Sequence, residues 1–116
     1  MYNRILIAED DDVTRELLTS IAKERGYDVS TVSNGIDLLT KLNFESFDVV
    51  ITDIMMEDLN GASAAEILKM QGNTTPVIAI TAVSSGDMDL VKDKFIKVFH
   101  KPVIVSELFN YVESII

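Results

Sequence analysis

A chain of 116 residues, 47% hydrophobic and 25% charged, is long enough for one domain that buries its own core. The net charge of −9 argues against a nucleic-acid surface, and the absence of Cys excludes disulfides, thiolate metal sites and a Cys nucleophile. No apolar run approaches the roughly 20 residues of a membrane span, and Met1 opens no signal-peptide pattern, so a cytoplasmic location is expected.

The first predicted element is "RILIA" (Arg4 to Ala8), a short apolar strand. In "EDDDVTRELLTSIAKERG" the residues Val13, Leu17, Leu18, Ile21 and Ala22 recur at helical spacing, and Gly26 stands where the helix would stop. The Asp residues suit the positive end of that helix. "DVSTV" (Asp28 to Val32) predicts a second strand, and "SNGIDLLTKL" a helix entered through Ser33 or Asn34.

The run Asp48 to Thr52 predicts a buried third strand ending at Asp53, and Gly61 leads into a third helix, "ASAAEILKM", closed near Gly72. "PVIAIT" (Pro76 to Thr81) is a fourth strand, "SSGDMDLVKDKF" a weaker fourth helix, and "IKVFH" (Ile96 to His100) a fifth strand. "SELFNYVESII" closes the chain as a fifth helix with Ser106 as its N-cap. Strands one, three and four are near-continuous apolar runs, as in strands buried on both faces. Alternation with helices then implies one α/β domain over residues 1–116, a (βα)5 doubly wound parallel sheet.

In such sheets ligands bind beyond the carboxyl ends of the strands, where the strand order reverses. Strand one delivers Glu9 and Asp10 to that edge, strand three Asp53, strand four Thr81, and strand five His100 and Lys101. Acids gathered in this way suit Mg2+, which takes oxygen ligands. Asp10 and Asp53 can ligate it directly, with Glu9 holding a metal-bound water. Asp53 is also placed to attack phosphorus and form an aspartyl phosphate. Thr81 can hydrogen-bond one phosphoryl oxygen and Lys101 can neutralise another. Taken alone, Glu9 to Asp12 would pass as helix-capping acids and Asp53 as a loop cap. Their occurrence with Lys101 at a strand end favours the chemical reading.

The set Glu9-Asp10, Asp53, Thr81-Ala82 and Lys101-Pro102, with "SNGIDLL" and the Gly61 helix start, resembles the receiver domain of two-component response regulators, of the chemotaxis-regulator type. The likeness runs along the whole chain. It implies a flavodoxin-like sheet of strand order 2-1-3-4-5 and a signalling module that catalyses only its own phosphorylation and slow dephosphorylation. Asp53 would be the phosphoacceptor, and Glu9, Asp10, Asp53 and the backbone carbonyl of Met55 would hold Mg2+. Thr81 would carry the switch, Lys101 would contact the phosphoryl group, and Lys101-Pro102 would be cis. The partners implied are a sensor histidine kinase or histidine phosphotransfer protein and a downstream target or effector domain, with helix five as a possible homodimer contact.

Three departures from the family pattern stand out. Glu57 replaces the usual Pro, Val98 stands at the switch-aromatic position with Phe99 facing the other way, and the short stretch between Thr81 and Lys101 implies a truncated fourth helix. Met55 and Val83, at the positions that tune phosphoryl lifetime in the family, are apolar, so slow self-dephosphorylation is expected. The lone His100 is given no catalytic role. Lys92, Lys94, Lys97 and Lys101 read as a basic, solvated face. Competing readings are a receiver-like scaffold that is never phosphorylated and a Mg2+-dependent aspartyl-nucleophile phosphohydrolase. The second needs an acid two residues past its nucleophile, where Met55 stands. A flavin-binding protein of this topology is disfavoured because "EDDD" would repel the phosphate.

Overall fold

The computed structural model describes residues 3–116. The elements run β1 (Arg4–Ala8), α1 (Asp12–Glu24), β2 (Asp28–Val32), α2 (Gly35–Phe44), β3 (Val49–Asp53), α3 (Gly61–Met70), β4 (Val77–Thr81), α4 (Ser85–Met88), β5 (Lys97–His100) and α5 (Val105–Ile115). A 3-10 turn at Lys92–Lys94 lies between α4 and β5. The strands form one parallel five-stranded sheet in the order β2-β1-β3-β4-β5, so the expected doubly wound, flavodoxin-like topology holds.

Strand alternation divides the core in two. Ile5, Ile7, Val49, Ile51, Ile78 and Ile80 face Leu18 and Ala22 of α1 and Leu108, Phe109 and Val112 of α5. Leu6, Ala8, Val50, Val77 and Ala79 face Leu38 and Leu42 of α2 and Ala64, Ala65 and Leu68 of α3. The two faces use opposite parities of the same strands, which is why β1, β3 and β4 read as unbroken apolar runs.

Helix ends follow their capping residues in four cases, the weakest being Ser84, which accepts from the Asp87 amide at 3.4 Å at the start of α4. Asp11 accepts from the Thr14 amide at 2.9 Å, Asn34 from Asp37 at 2.8 Å and Asn60 from Ser63 at 2.8 Å. The fifth helix differs from expectation. It starts at Val105 with Ile104 at the cap and no side-chain bond there, so Ser106 lies inside the first turn. In α1 only Leu18 and Ala22 are fully buried, and Val13 and Leu17 are exposed. The apolar residues span more of the helix than the sheet can cover, and Val13 and Leu17 fall on the uncovered flank. The fourth helix is truncated to a single turn, as its weak pattern suggested.

Two glycines are required by close approach. A Cβ on Gly61 would lie 2.3 Å from the Asp53 carbonyl oxygen, and one on Gly35 would lie 2.0 Å from that of Leu59. The starts of α2 and α3 thus clamp the Ile54–Asn60 loop from both sides. Within that loop Asp58 has φ 66°, and the Leu59 amide donates to the Glu57 carbonyl at 2.8 Å, which makes a tight γ-type turn.

Candidate functional site

The strand order reverses between β1 and β3, and the acids lie at the carboxyl ends of those two strands. Asp53 is the last residue of β3, paired with Ile80 of β4, and the strand begins at Val49, one residue later than expected. Asp48 instead accepts from the Arg4 amide at 2.7 Å and fastens the strand's entrance.

Glu9 is fully buried. Its Oε1 accepts from the Asp11 amide at 3.1 Å and its Oε2 from Lys101 Nζ at 3.0 Å. The Asp53 carboxylate is likewise divided. Oδ1 accepts from the Met55 amide at 3.1 Å and Oδ2 from Lys101 Nζ at 2.7 Å. Lys101 comes from beyond β5, and its peptide bond to Pro102 is cis. One ammonium therefore bridges two buried carboxylates.

Electrostatics follow from this packing. Burial pushes the Glu9 carboxyl up to about 7, reinforced by the charge of Asp53 and opposed by the Asp11 amide and Lys101. Burial alone would lower the Lys101 ammonium, but its hydrogen bonds to Asp53 and Glu9 outweigh that and hold it above its ordinary range. Asp10 is exposed, and one carboxylate oxygen each from Glu9, Asp10 and Asp53 lie within 4.8 Å of one another. A donor set made only of carboxylate oxygens fits a hard divalent cation such as Mg2+. Beside it, Asp10, Asp12, Glu57 and Asp58 help line a cleft of about 310 Å3, so the rim is strongly acidic.

Thr81 is fully buried at the end of β4. Its carbonyl accepts from the Lys101 amide at 2.7 Å, and its Oγ1 accepts from the Val83 amide at 2.9 Å. The Met55 side chain is exposed, while its backbone, two residues past Asp53, reaches that carboxylate through its amide. The structure thus brings Glu9, Asp10, Asp53 and Lys101 together, with Thr81 tied to Lys101 through the backbone.

Two participants escape sequence reasoning. Arg15 Nη1 donates to the Glu9 carbonyl at 2.9 Å and its Nη2 pairs with Asp12, which ties α1 to the end of β1. The Asp12/Arg15 spacing of three residues was the available signal. His100 Nδ1 lies 3.2 Å from the Val83 carbonyl, and no local pattern indicates that contact. The lysine cluster disperses. Lys92 pairs with Asp89, Lys94 with Glu66, and Lys97 lies over the Phe99 and Tyr111 rings, while Lys101 belongs to the acids.

A family model described as "Response regulator receiver domain" matches residues 5–113. The chain belongs to the response regulator receiver family. This receiver is 30% identical to the response regulator receiver protein CpdR of Brucella abortus, covering 97% of this chain and 96% of that one. Among solved structures it is similar to the Francisella response regulator 1452 receiver domain, with TM-score 0.92, 28% identity and coverage of 97% and 95%. It is also similar to TrrA of Thermotoga maritima, a response regulator protein in complex with Mg(2+)-BeF, with TM-score 0.90, 30% identity and coverage of 98% and 99%. Against three curated transcriptional regulators and transcription factors the receiver spans only 36%, 12% and 34% of their length. No helix among the described residues is long and apolar enough to cross a membrane.

Proposed function

We propose that this receiver accepts a phosphoryl group on Asp53 from a histidine kinase or histidine phosphotransfer protein, with Mg2+, and thereby controls its contacts with a downstream protein or effector domain. The observation that carries this reading is the Lys101 ammonium bridging Asp53 and Glu9 at the switch point of the sheet. A site with three acids and one cation is anionic until a metal ion joins it. Glu9, Asp10, Asp53 and the Met55 carbonyl would hold Mg2+, and when bound the ion supplies the positive charge that lets a phosphoryl group approach a carboxylate.

In the transfer itself an Asp53 carboxylate oxygen forms the new O–P bond as the donor's P–N bond breaks, and the departing imidazole keeps the nitrogen electron pair and takes a proton. Lys101 stays against the phosphoryl oxygens, and Thr81 offers its hydroxyl to another. Phosphorylation would then shift a conformational equilibrium that partners read. That TrrA binds Mg2+ with a beryllium fluoride supports the reading by likeness.

Intact-mass analysis after incubation with acetyl phosphate tests it. A gain of one phosphoryl group that requires Mg2+ and vanishes in Asp53→Asn is expected. No gain under any condition, including with a histidine kinase donor, would overturn it in favour of an unphosphorylated scaffold.

A further inference from the structure

The end of β5 reaches Val83, the residue whose amide donates to the Thr81 hydroxyl. Val98 packs with the α2 and α3 face, and Phe99 packs on the opposite face edge-on to Tyr111 at 5.9 Å. His100 is the register partner of Thr81 in the β4–β5 ladder. Its Nδ1 lies 3.2 Å from the Val83 carbonyl. A carbonyl oxygen only accepts, so Nδ1 carries the proton. The same residue 83 donates its amide to Thr81 Oγ1 at 2.9 Å. Val83 is thus held at both ends of its peptide groups, by Thr81 on one side and His100 on the other.

We infer that His100 is a positioning residue for Thr81. By pinning the Val83 carbonyl it keeps the Val83 amide on the Thr81 hydroxyl, and so links the resting position of that hydroxyl to the end of β5. This rests on Thr81 serving the phosphoryl group of Asp53. When the hydroxyl turns to that group, the Val83 amide loses its acceptor and the tie to His100 must rearrange. The coupling that an aromatic at 98 cannot provide here runs instead through residues 81, 83 and 100.

The test uses the full chain, whose single histidine makes the ring nitrogen signals unambiguous. In the neutral ring, 15N NMR should give the Nδ1–H tautomer, against the Nε2–H form that free imidazole side chains favour. His100→Leu removes the donor, whereas His100→Asn keeps an N–H at the δ position. In His100→Leu, hydrogen exchange at the Val83 amide should rise about 2- to 10-fold, the weight of one hydrogen bond. Phosphorylation by acetyl phosphate with Mg2+ should quicken by a similar factor. His100→Asn should restore both, and the remote Leu108 amide should not respond. An Nε2–H tautomer in the wild type, or a Val83 amide indifferent to His100→Leu, would overturn the inference. A changed Val83 amide in a protein that takes no phosphoryl group would uphold the positioning role and refute the phosphoacceptor reading instead.

Discussion

Lys101 and Asp53, 48 residues apart in sequence, meet as ammonium and carboxylate at 2.7 Å. The same ammonium reaches the fully buried Glu9 at 3.0 Å, so one cation serves two acids that would otherwise repel each other out of water.

Deleting that cation should therefore be costly. Without divalent ions, Lys101→Met should lose about 2–4 kcal/mol in urea unfolding, at the low end for a buried pair because the Lys101 side chain is 25% exposed. Added Mg2+ should stabilise the variant more than the wild type, since the ion no longer competes with an ammonium for the acids. Equal Mg2+ effects on the two proteins would count against a shared site.

The glycine clamp should be intolerant of one methyl group. Gly61→Ala and Gly35→Ala place a Cβ 2.3 Å and 2.0 Å from backbone oxygens that side-chain rotation cannot move, so each should destabilise by about 2–3 kcal/mol. Gly86→Ala meets nothing within 4 Å and should be neutral or gain up to about 1 kcal/mol. Chemical denaturation of the three variants separates close approach from a general dislike of substitution at glycine.

The turn at Asp58 makes a further distinction. At φ 66° a β-branched residue is strained, so Asp58→Val should lose about 1–2 kcal/mol. Asp58→Gly should lie within about 0.5 kcal/mol of the wild type, relief of strain being offset by chain entropy. Equal losses in both would mean that the Asp58 carboxylate matters more than its backbone.

Acid should weaken the entrance to β3 through Glu45. Hydrogen bonds from Lys41 and then Arg4, at 2.7 and 2.8 Å, hold its carboxyl below the ordinary 4.5. The folded state therefore binds fewer protons there than the unfolded chain. The contribution is fully present above about pH 4.5 and is lost as pH falls through the depressed value. The stability gap between wild type and Glu45→Gln should narrow as pH falls from about 4.5 through the depressed value. A gap that stays constant over that range would show that the charge contributes nothing.

Much of this protein is legible from local pattern. Strands β1, β3 and β4 announce themselves because burial on both faces demands apolar residues at every position, and cap chemistry narrows the entrance of α2 to Ser33 or Asn34, of which the fold uses Asn34. Glu9, Asp10, Asp53, Thr81 and Lys101 could be placed on one rim because parallel strands all end on the same side. The exposed flank of α1 and the start of α5 at Val105 could not be foreseen. The first depends on how wide a strip of helix the sheet covers, and the second on where the chain leaves β5.

The sequence by itself determined the element order, the parallel sheet and the set of residues at its carboxyl edge, since these follow from periodicity and strand direction. Only the tertiary structure decided that Lys101 is shared between Glu9 and Asp53, that Arg15 braces the Glu9 carbonyl and that His100 holds Val83. Those contacts join residues from separate elements at hydrogen-bond distance, and side-chain reach across a sheet edge leaves no trace in local spacing.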